Sequence, residues 1–150
     1  MTETSQSVLP EAPMAGSVIE TLLGSLERQR AYLAWKCGGL DAAGMRARLE
    51  PSAITLGGLL KHLAFMEDTN FSWPGRGRTV APWDSGGWDA DPDWEWHSAA
   101  TDSPEQLEAL WRDAVARSRV VVAEALAEGG LDHQSRFILP AGRSPACGGS

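Results

Sequence analysis

The residue types able to do chemistry in this chain are few, and His62 stands out among them. It lies in Thr55-Leu56-Gly57-Gly58-Leu59-Leu60-Lys61-His62-Leu63-Ala64-Phe65-Met66-Glu67-Asp68. Leu56, Leu59, Leu60, Leu63 and Met66 recur at helical spacing and predict a core-facing stripe. At the helical advance of about 100° per residue, His62 falls at the edge of that stripe, beside Met66 and Thr69. An imidazole there can point into a cleft between helices as a metal ligand, or sit at the core edge satisfied by one hydrogen bond. A zinc-type site needs several convergent ligands. The chain has three histidines, His62, His97 and His133. No two share a helix at i, i+4 spacing, and two fall in segments read as loops. Asp89, Asp91 and Asp93 imitate the start of a calcium loop, but Trp94 and Ala100 stand where an EF-hand requires Gly and Glu. These acids read as a solvated loop. Cys37 and Cys147 lie far apart without CxxC spacing, which argues against a zinc knuckle or disulfide framework. Cys37 reads as a core residue and Cys147 as a free thiol in a Gly-rich tail. No nucleophile elbow, phosphate loop or dinucleotide fingerprint is present.

The elements that must position these groups read as helices. Ser17 is placed to cap a first helix running to about Cys37, with a stripe of Ile19, Leu22, Leu23, Leu26, Leu33 and Cys37, ended by Gly38-Gly39. Gln29 and Arg30 interrupt the stripe. They read either as boundary side chains with wet heads or as the polar lining of a pocket, with Met66 a further lining candidate. Asp41 predicts a short turn of helix over 42–48, and Thr55 a cap for a second helix reaching about Trp73. Residues 74–102 show no helical period. They hold Trp83, Trp88, Trp94 and Trp96, and are too long for a tight hairpin. Large aromatics in such a connection are expected to bury against the body. Ser103-Pro104-Glu105-Gln106 is a strong helix start. Beyond it Leu107, Leu110, Trp111, Ala114, Val115, Val121, Val122, Ala125 and Leu126 share a face, with Ser118 the gap and Gly129-Gly130 the stop.

The chain has 150 residues, and 43% of them are hydrophobic, enough for one domain. The predicted division is a disordered segment 1–15, a three-helix domain 16–130 and an irregular tail 131–150. A net charge of −7 argues against a nucleic-acid partner. No apolar run is long enough to cross a membrane and no signal-peptide core is visible, so a cytoplasmic location is expected.

Several segments together resemble the DinB-like superfamily, in a domain-of-unknown-function branch related to mycothiol-dependent enzymes. They are Glu27-Arg28-Gln29-Arg30, Trp35-Lys36-Cys37, Thr55 to Leu63, Asp89-Ala90-Asp91-Pro92-Asp93-Trp94-Glu95-Trp96, Ser103-Pro104-Glu105 and Ala116-Arg117-Ser118-Arg119. The resemblance covers about residues 17–145. It implies an all-α, up-down-down-up helical bundle with a long crossover between helices two and three. It also implies a divalent metal of the zinc or nickel class, bound by a helix-two histidine that matches His62 and by further ligands on helix four. The implied activity is that of a transferase or isomerase working with low-molecular-weight thiols such as mycothiol or bacillithiol, on a small thiol or electrophile. Similar proteins continue from a segment like Gly142-Arg143-Ser144-Pro145 into a His-bearing fourth helix. Here the sequence reads Ala146-Cys147-Gly148-Gly149-Ser150, without the matching ligands. The expectation is a chain truncated before helix four, with weak metal binding, impaired activity and a homodimer through the uncovered helical face. The alternative is a non-catalytic helical interaction module.

Overall fold

A computed structural model describes residues 17–48, 50–73 and 79–129. The segment 1–15 and the tail 131–150, including His133 and Cys147, lie outside the described residues. All regular structure among the described residues is helical, apart from an isolated antiparallel bridge between Arg48 and Thr55. The all-α expectation therefore holds. The chain divides into two compact units, Met1–Leu56 and Gly57–Ser150.

The first unit is built on helix α1, Val18–Cys37. Its start follows from a capping box. The Ser17 hydroxyl accepts the Glu20 N–H at 3.1 Å, and the Glu20 carboxylate accepts the Ser17 N–H at 3.0 Å. Its end comes at Gly38, and Gly39 then takes a φ of 77°, a left-handed conformation that glycine adopts without a Cβ penalty. Cys37 is buried as expected, but Leu22, assigned to the apolar stripe, is exposed. Helix α2, Ala42–Arg46, is capped by Asp41, whose side chain accepts the Gly44 N–H. It ends two residues earlier than predicted.

The second unit carries α3, Leu56–Glu67, which continues into a π-helical segment, Asp68–Ser72. The predicted extent of that helix is right, but its buried face is not. Gly57, Gly58, Leu60, Lys61, Ala64 and Glu67 are buried, followed by Asp68. Of the predicted stripe only Leu60 is fully buried. The inward face is rotated by about a third of a turn because Lys61, Glu67 and Asp68 go inside. The connection read as aperiodic contains a 3-10 turn at Trp83–Ser85, helix α4 at Trp94–Ser98 and a second 3-10 turn at Ala99–Thr101. A five-residue helix is too short to show a period in sequence.

The long helix α5, Pro104–Glu128, starts as predicted from the Ser103–Gln106 capping box with Pro104 in its first turn. Leu107, Ala114, Val115, Ser118 and Val121 are its buried positions. The gap at Ser118 has a physical reason. The Ser118 hydroxyl donates to the Glu67 carbonyl at 3.1 Å, at the point where α3 passes into the π segment. Inserting one residue into a helical turn re-registers its hydrogen-bond ladder, and a small hydroxyl fits against the backbone there.

The core of this unit gathers around Ala64, Trp83 and Ala114, with Phe65, Trp88, Trp94, Leu110 and Trp111 against them. The rings pack tilted or edge-on. Phe65 lies 5.2 Å from Trp83 and 5.0 Å from Trp88, and Trp83 lies 6.3 Å from Trp94 at 86°. A Cβ on Gly86 would stand 2.6 Å from the Trp88 indole nitrogen and 2.9 Å from Trp94, so two indoles close over this glycine. The expectation that tryptophans pin the connection to the helices is met.

Candidate functional site

His62 leaves α3 on the side reached by α4. Its Nδ1 is 2.8 Å from the Glu95 Oε1. Its ring stacks on Trp96, with centroids 4.4 Å apart and planes 21° from parallel. Two consecutive residues of α4 therefore hold one imidazole, by an edge bond and by a face. The burial of the pair is unequal. The His62 side chain keeps 28% of its accessible surface, whereas that of Glu95 keeps 8%. The second carboxylate oxygen of Glu95, Oε2, is buried without a hydrogen-bond partner among the described residues.

The flanking residue on α3, Lys61, is inserted beside this pair. Its ammonium donates to the Asp102 carboxylate at 2.6 Å and lies 4.7 Å above the Trp94 ring. A buried lysine without such partners would be costly. The ion pair and the cation–π contact let it fix α3 against the segment that carries α4. On the next turns Asp68, fully buried, accepts hydrogen bonds from Nε and Nη2 of Arg117 at 2.9 and 2.8 Å and from the Trp83 indole N–H at 2.7 Å. This network ties α3, the connection and α5 together. The π segment itself buries Thr69 Oγ1 and Ser72 Oγ, together with Trp73 Nε1 beyond it, without hydrogen-bond partners among the described residues.

Of the residues that spacing and resemblance single out, His62 sits in a built polar setting. Met66, one turn further along α3, is half-buried. Gln29 is exposed on α1, whereas Arg30 is buried and donates to Glu27 at 2.7 Å. Glu95 is a site residue that the sequence reading does not pick out, since it stands next to acids that read as a solvated loop. The signal that could have found it is the pattern Trp94-Glu95-Trp96, a carboxylate between two indoles that both need burial. Among the described residues no three His, Cys, Asp or Glu side chains converge as a metal ion would require. The donor set there, an imidazole already bonded to its neighbouring carboxylate, falls short of a metal centre.

His97 is separate in character. It is exposed, and its Nδ1 lies 2.6 Å from Asp91 Oδ2. The hydrogen bond to Asp91, reinforced by the carboxylate charge, raises the His97 pKa above its usual 6.5. The same bond holds the Asp91 carboxyl below its usual 3.8. The signs define a window. The raised His97 stabilises the fold below its unfolded value and loses that contribution as pH rises through the folded one. The lowered Asp91 contributes above its unfolded value and loses it as pH falls through the folded one. The pair is therefore fully formed between those two ranges. Asp91→Asn should move the His97 titration midpoint down toward 6.5, read by NMR; an unmoved midpoint would show that the contact does not persist in solution.

Taken together, the second unit is an all-helical protein body with one part-exposed, carboxylate-held imidazole on α3. The chain belongs to the mycothiol-S-transferase family: the model of that family matches residues 21–142. This bears out the DinB-like resemblance, of which that family is one branch. Among curated proteins and solved structures nothing matches significantly. Among the described residues no helix is long and apolar enough to cross a membrane.

Proposed function

We propose that this chain transfers a low-molecular-weight thiol of the mycothiol type to an electrophile, with His62 as the group that accepts the thiol proton. The observation that carries this reading is His62 itself. It is part-exposed, clamped by Glu95 and Trp96, and set in a chain of the mycothiol-S-transferase family. The chemistry follows from the thiol. A thiolate, not a thiol, is the nucleophile. As the sulfur–carbon bond forms and the electrophile's leaving group departs with its electron pair, the thiol proton passes to His62. It then passes from His62 to a basic leaving group, or to water where the leaving group is a halide, so the products are a thioether, the leaving group and the released proton. A positioned imidazole is the commonest carrier for such a transfer. The divalent metal implied by resemblance would supply Lewis-acid activation of the thiol. The described residues do not furnish a ligand set for it, and no step here depends on it.

The test uses the full chain with mycothiol and monobromobimane, following thioether formation above the uncatalysed rate, with and without added zinc. His62→Ala is expected to lose roughly a hundredfold in rate. Equal rates in the two proteins would overturn the assignment. In the same preparation zinc is expected to bind weakly, because one unshared imidazole nitrogen is too few. Tight stoichiometric binding abolished by His62→Ala would restore the metal-dependent reading.

A further inference from the structure

We infer that Glu95 is the positioning residue of His62: its carboxylate fixes the imidazole as the Nδ1–H tautomer and leaves the lone pair on Nε2, the nitrogen free to meet a solute. The catalytic use of that lone pair rests on the proposed thiol transfer; the tautomer assignment does not.

The geometry gives each atom a role. Glu95 approaches Nδ1, the nitrogen nearer the helix backbone, at 2.8 Å. An ionised carboxylate accepts hydrogen bonds and donates none, so Nδ1 carries the proton. The far nitrogen, Nε2, is then the acceptor. The direction of the pairing follows from burial. Glu95 is the buried partner and His62 the part-exposed one, so His62 meets solute and Glu95 backs it. Glu95 Oε2 is buried and has no hydrogen-bond partner among the described residues. A glutamate retained to hold the fold would be expected to spread its oxygens over backbone or neighbouring donors, as Asp68 does with Arg117 and Trp83. Glu95 is different: among the described residues, only its oxygen facing the imidazole has a partner. The ring plane is fixed by a second contact. Trp96, the next residue along α4, lies nearly parallel to the imidazole at 4.4 Å. The helix thus fixes the ring plane with one residue and the proton with the preceding one. A carboxylate or carbonyl that takes the proton of one ring nitrogen sets the chemistry of the other.

Side-chain nitrogen NMR of the full chain, labelled at histidine and recorded without substrate at a pH where His62 is neutral, tests this. His62→Gln identifies the His62 signals. In the wild-type protein, His62 should show a protonated Nδ1 and an unprotonated Nε2. In Glu95→Ala the equilibrium should move toward the Nε2–H form that a free imidazole prefers. Glu95→Gln, whose amide oxygen can still accept from Nδ1, should keep the wild-type pattern. A wild-type His62 protonated on Nε2, or a Glu95→Ala protein with an unchanged tautomer, would overturn the inference. Because the wild-type spectrum alone can refute it, a failure of Glu95→Ala to fold does not shelter it. In the bimane assay Glu95→Ala should lower kcat about 10- to 100-fold with little change in the KM for thiol, and Glu95→Gln should recover most of it. If the wild-type chain shows no thiol transfer while the tautomer is as stated, the proposed function fails and the positioning role stands.

Discussion

Arg117→Met should destabilise the protein by about 3–5 kcal/mol, because it strands a buried charge. Asp68 has no exposed surface, and its carboxylate is held by two guanidinium hydrogen bonds and the Trp83 indole N–H. Without Arg117, one neutral donor remains for an ion in a low-dielectric site. Methionine keeps much of the aliphatic stem, so the loss reports charge rather than packing. The reverse removal is milder. Asp68→Leu leaves Arg117, whose side chain is 29% exposed, able to turn its head to water. The double variant should accordingly be more stable than Arg117→Met alone. Urea unfolding followed by far-UV circular dichroism measures all three. A strictly additive double variant would show that the pair is not coupled, and a loss below about 1 kcal/mol would place it with surface ion pairs.

Trp83→Ala should cost a comparable amount, about 3–5 kcal/mol, for a different reason. The Trp83 ring is 3% exposed and touches Phe65 and Trp94, so its removal opens a cavity lined by rings that cannot all collapse into it. Trp83→Phe separates the contributions. It preserves an aromatic plane but withdraws the N–H from Asp68 and the larger part of the indole, and should cost between half and two thirds as much. Equal losses in the two variants would mean that the hydrogen bond to Asp68, and not the cavity, carries the effect. The same melts, run to complete unfolding, decide this.

These residues also explain which parts of the molecule are legible in sequence. Helix starts are, because a cap is a local event. Ser17 with Glu20, and Ser103 with Gln106, specify their helices within four residues. The buried side of α5 is legible too, since apart from Ser118 its buried positions are apolar. The inward face of α3 is not. Hydropathy places Lys61, Glu67 and Asp68 outside, and only partners distant in sequence, Asp102 and Arg117, make the burial of Lys61 and Asp68 tolerable. The π segment escapes for a similar reason, as nothing in Asp68-Thr69-Asn70-Phe71-Ser72 announces an extra residue in the turn. At the candidate site His62 can be singled out by spacing and by resemblance. Glu95 is harder to find, because it lies on a short helix whose five residues show no periodicity, and its place between two indoles is the cue that remains.

The distribution of indoles gives the molecule two separate optical signatures. Trp35, on α1, is 55% exposed, lies 5.8 Å from Tyr32 and carries the Lys36 ammonium 4.5 Å from its ring. Such a chromophore emits at long wavelength and is open to collisional quenchers. Trp83, Trp88 and Trp94 form a chain of rings in van der Waals range around Gly86. Closely spaced indoles in fixed orientation couple their excited states, giving a near-ultraviolet dichroism and short-wavelength emission that vanish once the rings separate. The first signal belongs to the unit ending at Leu56 and the second to the unit beginning at Gly57. The coupled-ring dichroism is therefore an intrinsic spectroscopic marker for the second unit, and the quencher-accessible emission of Trp35, the one indole of the first, adds to that of the half-buried Trp73, Trp96 and Trp111.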